Sequence, residues 1–489
     1  MGKPSGFLEF GPEAPTKRPA AERIRDFREF ESPLGVAKLK NQAARCMDCG
    51  VPACHAYGCP LANRIPDYND MVFRGHWKAA LDLLHDTNNF PEITGRICPA
   101  PCEAACTLFI HGETVTIRQI ELAAAEQGWA SGWIKPEPPA VSSGRRVAVI
   151  GSGPAGLAAA QELARMGHAV VVYEKQDRIG GLLRYGIPDF KLEKRLLDRR
   201  LDQLRSEGVV FETGVAAGTD ISAQYMRHHF DAVLIAVGAS VPRSPGLTGQ
   251  QLPGVHFAME YLKQQNRANA GDHIPSSERI TAEGLDVAVV GGGDTGSDCV
   301  GTARRQGADR IVQIELLPEP PTARAADNPW PTWPNVMRTS SSQEEGCERL
   351  WSIRTKGCTA GRHGRVQSLQ CIRIVWSRAE SNGRMECREI PGSEFEVKAD
   401  LVLIATGFQH LEHGPLVRDF GIELDNHGHV HADRCGATSV PGVYAAGDCV
   451  LGTSLAVKAI DQGRRAATGI DAFLAGSVRG GTSQHTPGA

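Results

Sequence analysis

Residues 145–175 read RRVAVIGSGPAGLAAAQELARMGHAVVVYEK. An apolar strand leads through a glycine turn into a helix of small residues and then a second apolar strand that ends in an acid. This order is typical of a dinucleotide-binding βαβ unit. In Gly151-x-Gly153-x-x-Gly156 the first glycine permits a tight turn, the second lets a pyrophosphate approach, and the third lets the helix pack on the strand. The helix N-terminus then offers free N–H groups to the phosphates.

Glu174 ends the second strand of this unit, where a carboxylate can accept hydrogen bonds from a ribose. A lone GxGxxG is weak evidence, but the strand–turn–helix–strand–acid context favours nucleotide binding over a structural glycine turn. The predicted contacts of this first nucleotide fold are Gly151, Gly153, Pro154, Ala155, Gly156 and Glu174.

A second unit of the same kind occupies residues 285–315, LDVAVVGGGDTGSDCVGTARRQGADRIVQIE. Further apolar strands at 231–239, 399–408 and 442–450 surround it. Their order predicts that the second fold interrupts the first, so that residues 145–245 and 409–489 form one domain and residues 246–408 the other. The predicted contacts of the second fold are Gly291, Gly292, Gly293, Asp294, Thr295, Gly296, Glu315 and Gly407.

Glu315 bears on which nicotinamide nucleotide the second fold prefers. An acid at the end of the second strand accepts from a free 2′-hydroxyl and repels a 2′-phosphate. No arginine follows it directly, although Arg304, Arg305 and Arg324 could fold into the site. The sequence therefore favours NADH over NADPH.

Seven cysteines stand within the first 106 residues, as Cys46-x2-Cys49-x4-Cys54-x4-Cys59-Pro60 and Cys98-Pro99-x2-Cys102-x3-Cys106. Zinc is the main alternative for such spacing, because CxxC pairs also build zinc sites. The two Cys-Pro pairs resemble the ferredoxin-type ending, and an electron relay suits a position in front of two redox nucleotide folds. We therefore favour iron–sulfur clusters. Two [4Fe–4S] clusters need eight ligands, one more than the clustered cysteines supply.

The remaining seven cysteines are scattered and predict ordinary free thiols. Cys299 is the only one near a glycine turn and has no neighbouring cysteine, so a disulfide-reductase mechanism is set aside. Fourteen cysteines without a secretory signal predict a reducing, cytoplasmic location. A net charge of -3 gives no basic footprint for nucleic acid, and no apolar stretch is long enough to span a bilayer.

Three other segments complete the organisation of the chain. Residues 1–140 hold the clustered cysteines, and within them residues 69–86 space their apolar residues like one amphipathic helix. Residues 135–144, rich in Pro, Ser and Gly, predict a linker. Residues 318–346, rich in Pro and polar side chains, predict a long loop over the second nucleotide site and a partner contact. The predicted fold class is α/β, with a helical iron–sulfur domain before two Rossmann-like domains.

Two short motifs resemble those of the flavoproteins that carry two dinucleotide-binding domains. Arg178-x-Gly180-Gly181 follows the first acid, like the RxGG segment of that family, and Gly447-Asp448 is similar to its late motif, whose Asp binds the flavin ribitol. The resemblance implies that the first fold holds FAD and that the helix from about Ser454 directs its positive end at the flavin. The further FAD contacts it implies are Arg178, Gly181, Leu182, Gly238, Gly447, Asp448, Ser454 and Leu455.

Over essentially its whole length the chain resembles the small (β) subunits of glutamate synthase, and most closely the NADH-linked form. The resemblance is carried by these segments: CMDCGVPACHAYGCPLANRIP, NNFPEITGRICPAPCEAAC, VTIRQIE, GGLLRYGIPDFKLEKR, GGGDTGSDC and ELLPEPPTARAADNPWP. The N-terminal half of dihydropyrimidine dehydrogenase and the large subunit of NADH-dependent ferredoxin:NADP oxidoreductase are similar in the same module.

The family implies two [4Fe–4S] clusters with interleaved ligands. By that resemblance Cys46, Cys49, Cys54 and Cys106 bind one cluster, and Cys59, Cys98 and Cys102 bind the other. The eighth ligand of the dihydropyrimidine dehydrogenase relative is a glutamine that ends a short run. The matching run here, Val115–Glu121, places Glu121 at that position. A carboxylate is a possible iron ligand, and the alternative for Glu121 is a helix-surface acid.

The function that the resemblance implies is electron input. NAD(P)H, preferably NADH, would be oxidised at FAD, and the clusters would pass electrons to a large subunit with FMN, an iron–sulfur cluster and glutaminase machinery. That subunit would form L-glutamate from L-glutamine and 2-oxoglutarate. The first alternative is a ferredoxin-type NAD(P)H oxidoreductase subunit, and the second is a zinc-bearing flavin-binding scaffold without turnover.

Overall fold

The structure is a computed structural model that describes residues 2–378 and 385–479, with side chains to residue 476. The N-terminal part is mainly helical and also holds two short antiparallel strands, β1 (Thr16–Lys17) and β2 (Glu31–Ser32). Its α-helices are α1 (Gly6–Glu9), α2 (Ala20–Arg23), α3 (Val36–Ala44), α4 (Ile65–Arg74), α5 (Trp77–His85), α6 (Pro91–Ile97), α7 (Pro101–Ala104) and α8 (Ile117–Ala130). A π-helix (Cys54–Gly58) and a 3-10 helix (Thr107–His111) follow cysteines of the predicted clusters.

The prediction of one helix over residues 69–86 is wrong. Two helices occupy this region, because α4 ends at Gly75 in the left-handed conformation (φ 81°) and α5 begins at Trp77. Glycine adopts this conformation without a steric penalty and commonly closes helices. The apolar spacing continues across the break, so periodicity alone did not show it.

Two parallel sheets follow the helical part. The remaining strands are β3 (Arg146–Ile150), β4 (Ala169–Glu174), β5 (Val210–Thr213), β6 (Ala232–Ile235), β7 (Val255–Phe257), β8 (Asp286–Val290), β9 (Arg310–Ile314), β10 (Glu348–Leu350), β11 (Ile353–Ala360), β12 (Val366–Arg378), β13 (Met385–Lys398), β14 (Leu401–Ile404) and β15 (Val443–Ala445). The first sheet has the order β15-β6-β3-β4-β5 and the second β10-β9-β8-β14-β7, while β11, β12 and β13 form an antiparallel sheet.

The strand orders confirm the predicted fold class. Strand β15 lies far along the chain yet pairs with β6 of the first sheet, and all strands of the second sheet fall between them in sequence. The second fold is therefore inserted in the first. Most strands of both sheets are buried along their length, as expected for parallel sheets covered by helices on both faces.

The helices that cover these sheets are α9 (Pro154–Arg165), α10 (Leu182–Tyr185), α11 (Lys194–Ser206), α12 (Ala223–His229), α13 (Ala258–Asn269), α14 (Asp294–Gln306), α15 (Ser341–Glu344), α16 (Pro415–Phe420), α17 (Asp448–Leu451) and α18 (Ala456–Arg479). Helix α18 lies directly against α9. A Cβ atom on Gly463 would stand 2.2 Å from the carbonyl oxygen of Ala155, so only glycine permits this approach.

Buried ion pairs join the helical part to both nucleotide folds. Arg200 on α11 donates to Glu92 on α6 (2.6 Å), and both side chains are almost completely buried. Arg305 on α14 and Arg23 on α2 share the buried carboxylate of Glu345. Breaking such a pair leaves an uncompensated charge, so these contacts fix how the three parts sit together.

Residues 318–346 form a long loop that ends in α15, as the sequence predicts. The loop also reaches the helical part, because the indole nitrogen of Trp330 donates to the carbonyl oxygen of Cys106 (3.2 Å). Arg324 stacks over the ring of Phe109, two residues into the 3-10 helix. The loop therefore runs from the second nucleotide fold to the predicted cluster region.

Candidate functional site

The first glycine turn leaves space for a ligand only at its second glycine. Gly151 has φ 100°, and a Cβ there would stand 2.4 Å from the carbonyl oxygen of Ala236. A Cβ on Gly156 would stand 2.1 Å from the carbonyl oxygen of Gly151. At Gly153 a Cβ would meet nothing within 4 Å. The first and third glycines are thus required by the fold, whereas the second borders the space into which a pyrophosphate would fit.

The second glycine turn repeats this geometry. Gly291 has φ 128°, and a Cβ there would stand 2.3 Å from the carbonyl oxygen of Ala405. A Cβ on Gly296 would stand 2.2 Å from the carbonyl oxygen of Gly291, and one on Gly293 would meet nothing within 4 Å. Both turns therefore fit a dinucleotide phosphate in the same way.

The two acids at the strand ends each bind the backbone of a glycine turn. The Glu174 carboxylate accepts from the N–H of Ser152 (3.2 Å) and the hydroxyl of Ser152 (2.6 Å). Glu315 accepts from the N–H of Gly292 (2.6 Å) and the N–H of Leu317 (3.1 Å). Each acid thus lies beside the turn where the adenosine ribose of a nucleotide is expected.

A single cavity of about 1380 Å³ brings the two nucleotide folds together. From the second fold it is lined by the predicted residues Gly291, Gly292, Gly293, Asp294, Thr295, Glu315 and Gly407. From the first fold it is lined by the predicted residues Leu182, Asp448, Ser454 and Leu455. This arrangement lets a nicotinamide and a flavin lie in one shared cavity, as hydride transfer between them requires.

Asp448 lies at the start of α17 and is largely buried. Its carboxylate accepts from the hydroxyl of Ser454 (2.8 Å), and burial raises its pKa. Gly447 before it has φ 85° and donates its N–H to the side-chain oxygen of Gln462 (2.7 Å). Helix α18 begins at Ala456, directly after cavity-lining Ser454 and Leu455, so its N-terminal N–H groups lie at the cavity.

The other predicted flavin contacts lie around the first turn. Gly181 has φ 51° and packs on Gly153, and Gly238 has φ 70° just beyond β6. Arg178 is paired with Asp272, beyond α13 in the second fold, and with Asp177. The Arg178 side chain therefore bridges the two nucleotide folds, and its contact with FAD stays a prediction.

The seven N-terminal cysteines form two groups. In group A, Cys54 and Cys106 lie in one core cluster with Cys46 packed against it, and the Sγ atom of Cys49 contacts the hydroxyl of Thr107, next to Cys106 (3.5 Å). Burial raises the pKa of Cys54 to about 12, and the neighbouring thiols add to the effect. Thiolates so disfavoured need a compensating positive charge, which a metal centre supplies.

Group B consists of Cys59, Cys98, Cys102 and Glu121, which line one small cavity together. Burial raises the pKa of Cys59 to about 11 and that of Cys98 to about 12. The family resemblance implies these same two sets of cluster ligands, and the ligand sets stay predictions. Among the described residues, no three His, Cys, Asp or Glu side chains are spaced to hold a single metal ion.

Backbone N–H groups point at two sulfur atoms of group B. The Sγ atom of Cys59 accepts from the N–H of Asn63 (3.5 Å), and that of Cys98 accepts from the N–H of Ala100 (3.4 Å). Ala62 (φ 50°) and Ala100 (φ 58°) adopt the left-handed conformation, which is costly outside glycine. Such strain is retained where a site requires it, and N–H donors to sulfur are what a cluster site needs.

Glu121 is not a helix-surface acid, because its side chain is buried on α8. Its carboxylate accepts from the side-chain amides of Asn63 and Asn88 (3.3 Å each) and from the hydroxyl of Thr94. Burial raises its pKa to about 7. A carboxylate held by neutral donors beside three thiols suits iron ligation, which stays a prediction.

Group B lies next to the nucleotide cavity. Pro60 lines both the small cavity of group B and the large one. Val457, in the first turn of α18, lines the small cavity as well. Group B therefore lies beside the large cavity, and its Cys59 and Cys98 also pack against the core of the first nucleotide fold, whereas Cys46, Cys54 and Cys106 of group A pack in the core of the helical part.

Several residues of these sites were not predicted from the sequence. In the large cavity they include Arg243, Arg354, Lys458, Gln462 and Arg465. Around group B they include Asn63, Asn88 and Thr94. No motif marks these residues, since their roles depend on helices that meet only in the folded chain.

Comparisons with known proteins agree with this geometry. Residues 23–133 match the family described as "Dihydroprymidine dehydrogenase domain II, 4Fe-4S cluster". Residues 145–333 and 372–463 match "Pyridine nucleotide-disulphide oxidoreductase". A solved structure, FprA of Mycobacterium tuberculosis in complex with NADPH, has a TM-score of 0.56 at 17% identity, covering 70% of this chain and 87% of its own. The chain is therefore an NAD(P)H-dependent oxidoreductase of the flavin and iron–sulfur class.

Curated relatives define the group more closely. "Glutamate synthase [NADPH] small chain" of M. tuberculosis is 50% identical over 98% of this chain and 97% of its own length. The protein of the same name from Bacillus subtilis is 43% identical over 98% and 99%. "Glutamate synthase [NADH]" of Schizosaccharomyces pombe is 44% identical over 98% of this chain and 23% of its own length. The chain belongs to the glutamate synthase small-chain family. In its described residues no helix is long and apolar enough to cross a membrane.

Proposed function

We propose that this chain is the electron-input subunit of a glutamate synthase. It oxidises NAD(P)H and delivers the electrons to a large subunit that forms L-glutamate from L-glutamine and 2-oxoglutarate. The observation that carries the proposal is the position of group B, which shares Pro60 with the nucleotide cavity and packs against the core of the first nucleotide fold, whereas Cys46, Cys54 and Cys106 of group A pack in the core of the helical part. A site built only to bind nucleotides does not require such groups.

The residues of the chain contribute to the reaction by orienting the nucleotides and by electrostatic effects. FAD, when bound, accepts a hydride from the nicotinamide, and iron–sulfur clusters carry electrons one at a time. The open positions at Gly153 and Gly293 admit the two pyrophosphates. The N-terminus of α18 favours negative charge in the cavity. Cys46, Cys49, Cys54 and Cys106 would hold one [4Fe–4S] cluster, and Cys59, Cys98, Cys102 and Glu121 the other.

We propose NADH as the preferred nucleotide. The Glu315 carboxylate is fixed by two backbone N–H groups beside the glycine turn, so a 2′-phosphate there would face a negative charge. Arg354 also lines the cavity, but its guanidinium is paired with Glu389 (3.0 Å). Relatives with both nucleotide names exist, so the preference depends on this local geometry.

The face around group A is the proposed contact with the large subunit. Val51 (79% exposed) and Tyr57 (74%) lie on the segment that carries Cys49 and Cys54, and Ile110 (54%) lies on the 3-10 helix after Cys106. The Cys49 Sγ atom contacts the Thr107 hydroxyl (3.5 Å), which brings the segment and the helix together. Exposed apolar side chains at the electron exit are typical of a protein interface. None of the fourteen cysteines forms a disulfide, which fits the cytoplasmic location that we propose.

The decisive experiment is anaerobic. The purified chain should contain iron and FAD, oxidise NADH with an artificial acceptor, and form no glutamate. Addition of the large subunit should produce glutamate at the expense of NADH. Stoichiometric zinc in place of iron, or efficient reduction of ferredoxin without any response to the large subunit, would contradict the proposal.

A pair of variants tests the exit face. Tyr57→Asp should weaken complex formation and glutamate synthesis while NADH oxidation with the artificial acceptor persists. Tyr225, which is 42% exposed on α12 of the first nucleotide fold, supplies the matched control. Tyr225→Asp should affect neither property. Equal complex formation by both variants would exclude this face as the contact.

A further inference from the structure

The hydroxyl of Tyr68 is buried without a hydrogen-bond partner in the described part of the chain. Tyr68 lies on α4 and has no exposed surface. Its Oη atom neither donates to nor accepts from a described residue. Buried tyrosine hydroxyls usually find a partner, and one left without costs about 1–3 kcal/mol. An unpartnered hydroxyl at this position therefore points to an acceptor beyond the polypeptide.

The surroundings of Tyr68 identify that acceptor. The residue packs in one core cluster with cysteines of both groups: Cys46, Cys54, Cys59, Cys102 and Cys106. Burial raises the pKa of its hydroxyl, and the charges that add to this belong to Glu121, Cys102, Cys59 and Cys54. Three of these four residues are in group B. The hydroxyl is thus buried among the cysteines of both groups, and we take group B as its partner.

We propose that Tyr68 is a positioning residue of the electron path, whose hydroxyl donates a hydrogen bond to a sulfur atom of the iron–sulfur cluster held by group B. The inference rests on the proposed function, because it requires a cluster at group B. A hydrogen bond to cluster sulfur stabilises the more negative, reduced state and raises the reduction potential. Packing alone would be served equally well by phenylalanine.

Asn69, the next residue on α4, lies toward group A, and its side chain is fully buried. Burial raises the pKa of Cys46, and a hydrogen bond from the Asn69 side chain partly offsets this. Helix α4 thus directs one buried polar side chain toward each group.

The test compares Tyr68→Phe with Tyr261→Phe. Tyr261 is equally buried but lies in the second nucleotide fold, and its hydroxyl donates to Gln306 (2.9 Å). In EPR-monitored redox titrations of the holoprotein, Tyr68→Phe should lower the reduction equilibrium constant of one cluster about tenfold, or about 59 mV for one electron. The other cluster, and both clusters of Tyr261→Phe, should be unchanged. Unaltered potentials in Tyr68→Phe would overturn the inference.

A second measurement does not require the cluster to be reduced. Resonance Raman spectra of the oxidised wild type, reconstituted in light and in heavy water, report hydrogen bonds to cluster sulfur through the Fe–S stretching bands. A solvent-isotope shift that is reduced in Tyr68→Phe supports the inference, and identical shifts in both proteins refute it. A wild type without iron–sulfur bands would contradict the proposed function itself, so the two failures are distinguishable.

Discussion

Replacement of Glu121 is the sharpest test of the cluster assignment. Glu121→Ala removes the only member of group B that is not a cysteine, whereas Glu121→Gln keeps an oxygen at the same position. If Glu121 binds iron, Glu121→Ala should lose one of two clusters, so that iron per chain falls toward half. Glu121→Gln should retain more iron, because an amide oxygen can still reach the site.

The hydrogen bonds around Glu121 indicate how much stability each substitution should remove from the protein without metal. Thr94 also donates to the carbonyl oxygen of Phe90 (3.2 Å), and Asn88 also donates to the Thr94 hydroxyl (2.8 Å). Glu121→Ala thus leaves chiefly the Asn63 amide unpaired, together with a small cavity. An unsatisfied buried donor costs about 1–3 kcal/mol, so with the cavity included Glu121→Ala should lower the free energy of unfolding by about 2–4 kcal/mol. Glu121→Gln should cost about 1 kcal/mol.

A control on the same helix separates ligation from stability. Glu126 on α8 accepts from Arg96 (2.9 Å) and Arg199 (3.1 Å) and lies away from the thiols. Glu126→Ala should lower the free energy of unfolding by about 1 kcal/mol and should retain all of its iron. The assay is iron analysis, visible absorption and EPR of anaerobically purified protein, with urea unfolding of the apoproteins. Full iron content and unchanged cluster spectra in Glu121→Ala would refute the ligand role.

Three further predictions concern the nucleotide sites and pH. Gly153→Ala should lose FAD while the apoprotein keeps its stability, because the space beside Gly153 is open. Gly156→Ala should destabilise the apoprotein, because its Cβ would stand 2.1 Å from a backbone oxygen. Equal stability of the two apoproteins would contradict this prediction. Glu315→Gln should shift the ratio of kcat/KM for NADPH over NADH upward about tenfold, or about 1.4 kcal/mol, and a wild-type preference for NADPH would oppose the argument. Burial lowers the pKa of His85 from 6.5 to about 3. As the pH drops below 6.5, the unfolded chain therefore binds a proton at His85 that the folded chain does not bind. The free energy of unfolding should fall accordingly, by about 2 kcal/mol at pH 5. Urea midpoints of His85→Gln should lack this part of the acid sensitivity.

Local sequence patterns predicted the features that depend on local backbone conformation. Both glycine turns lie at the predicted positions because Gly151 and Gly291 need positive φ and Gly156 and Gly296 need close backbone approach. Periodicity failed at Gly75, where one glycine splits an otherwise regular pattern into two helices. Family resemblance, and not spacing, supplied the division of the cysteines into two groups.

Contacts between distant segments could not be predicted in this way. The Glu121 carboxylate meets Asn63, Asn88 and Thr94 only because α8 packs beside α6 and the turns that precede it. The indole of Trp330 donates to the carbonyl oxygen of Cys106, which lies 224 residues earlier in the chain. A loop predicted to cover the nucleotide site therefore also contacts the cluster region. Neither contact carries a composition or spacing signal.

The two glycine turns differ at three residues, and the one after the first glycine decides how each acid is held. In the first turn Ser152 follows the first glycine, and its hydroxyl donates to Glu174 and accepts from the N–H of Gly180 (2.9 Å). This ties the acid, the turn and the RxGG segment into one unit around the site proposed for FAD. In the second turn Gly292 takes that place, and a Cβ there would stand 2.1 Å from the Glu315 carboxylate. No serine can make the same link, so the turn is held instead by the N–H of Gly292, which donates to Glu315, and by the Gln313 side chain, which donates to the carbonyl oxygen of Gly291 (2.9 Å).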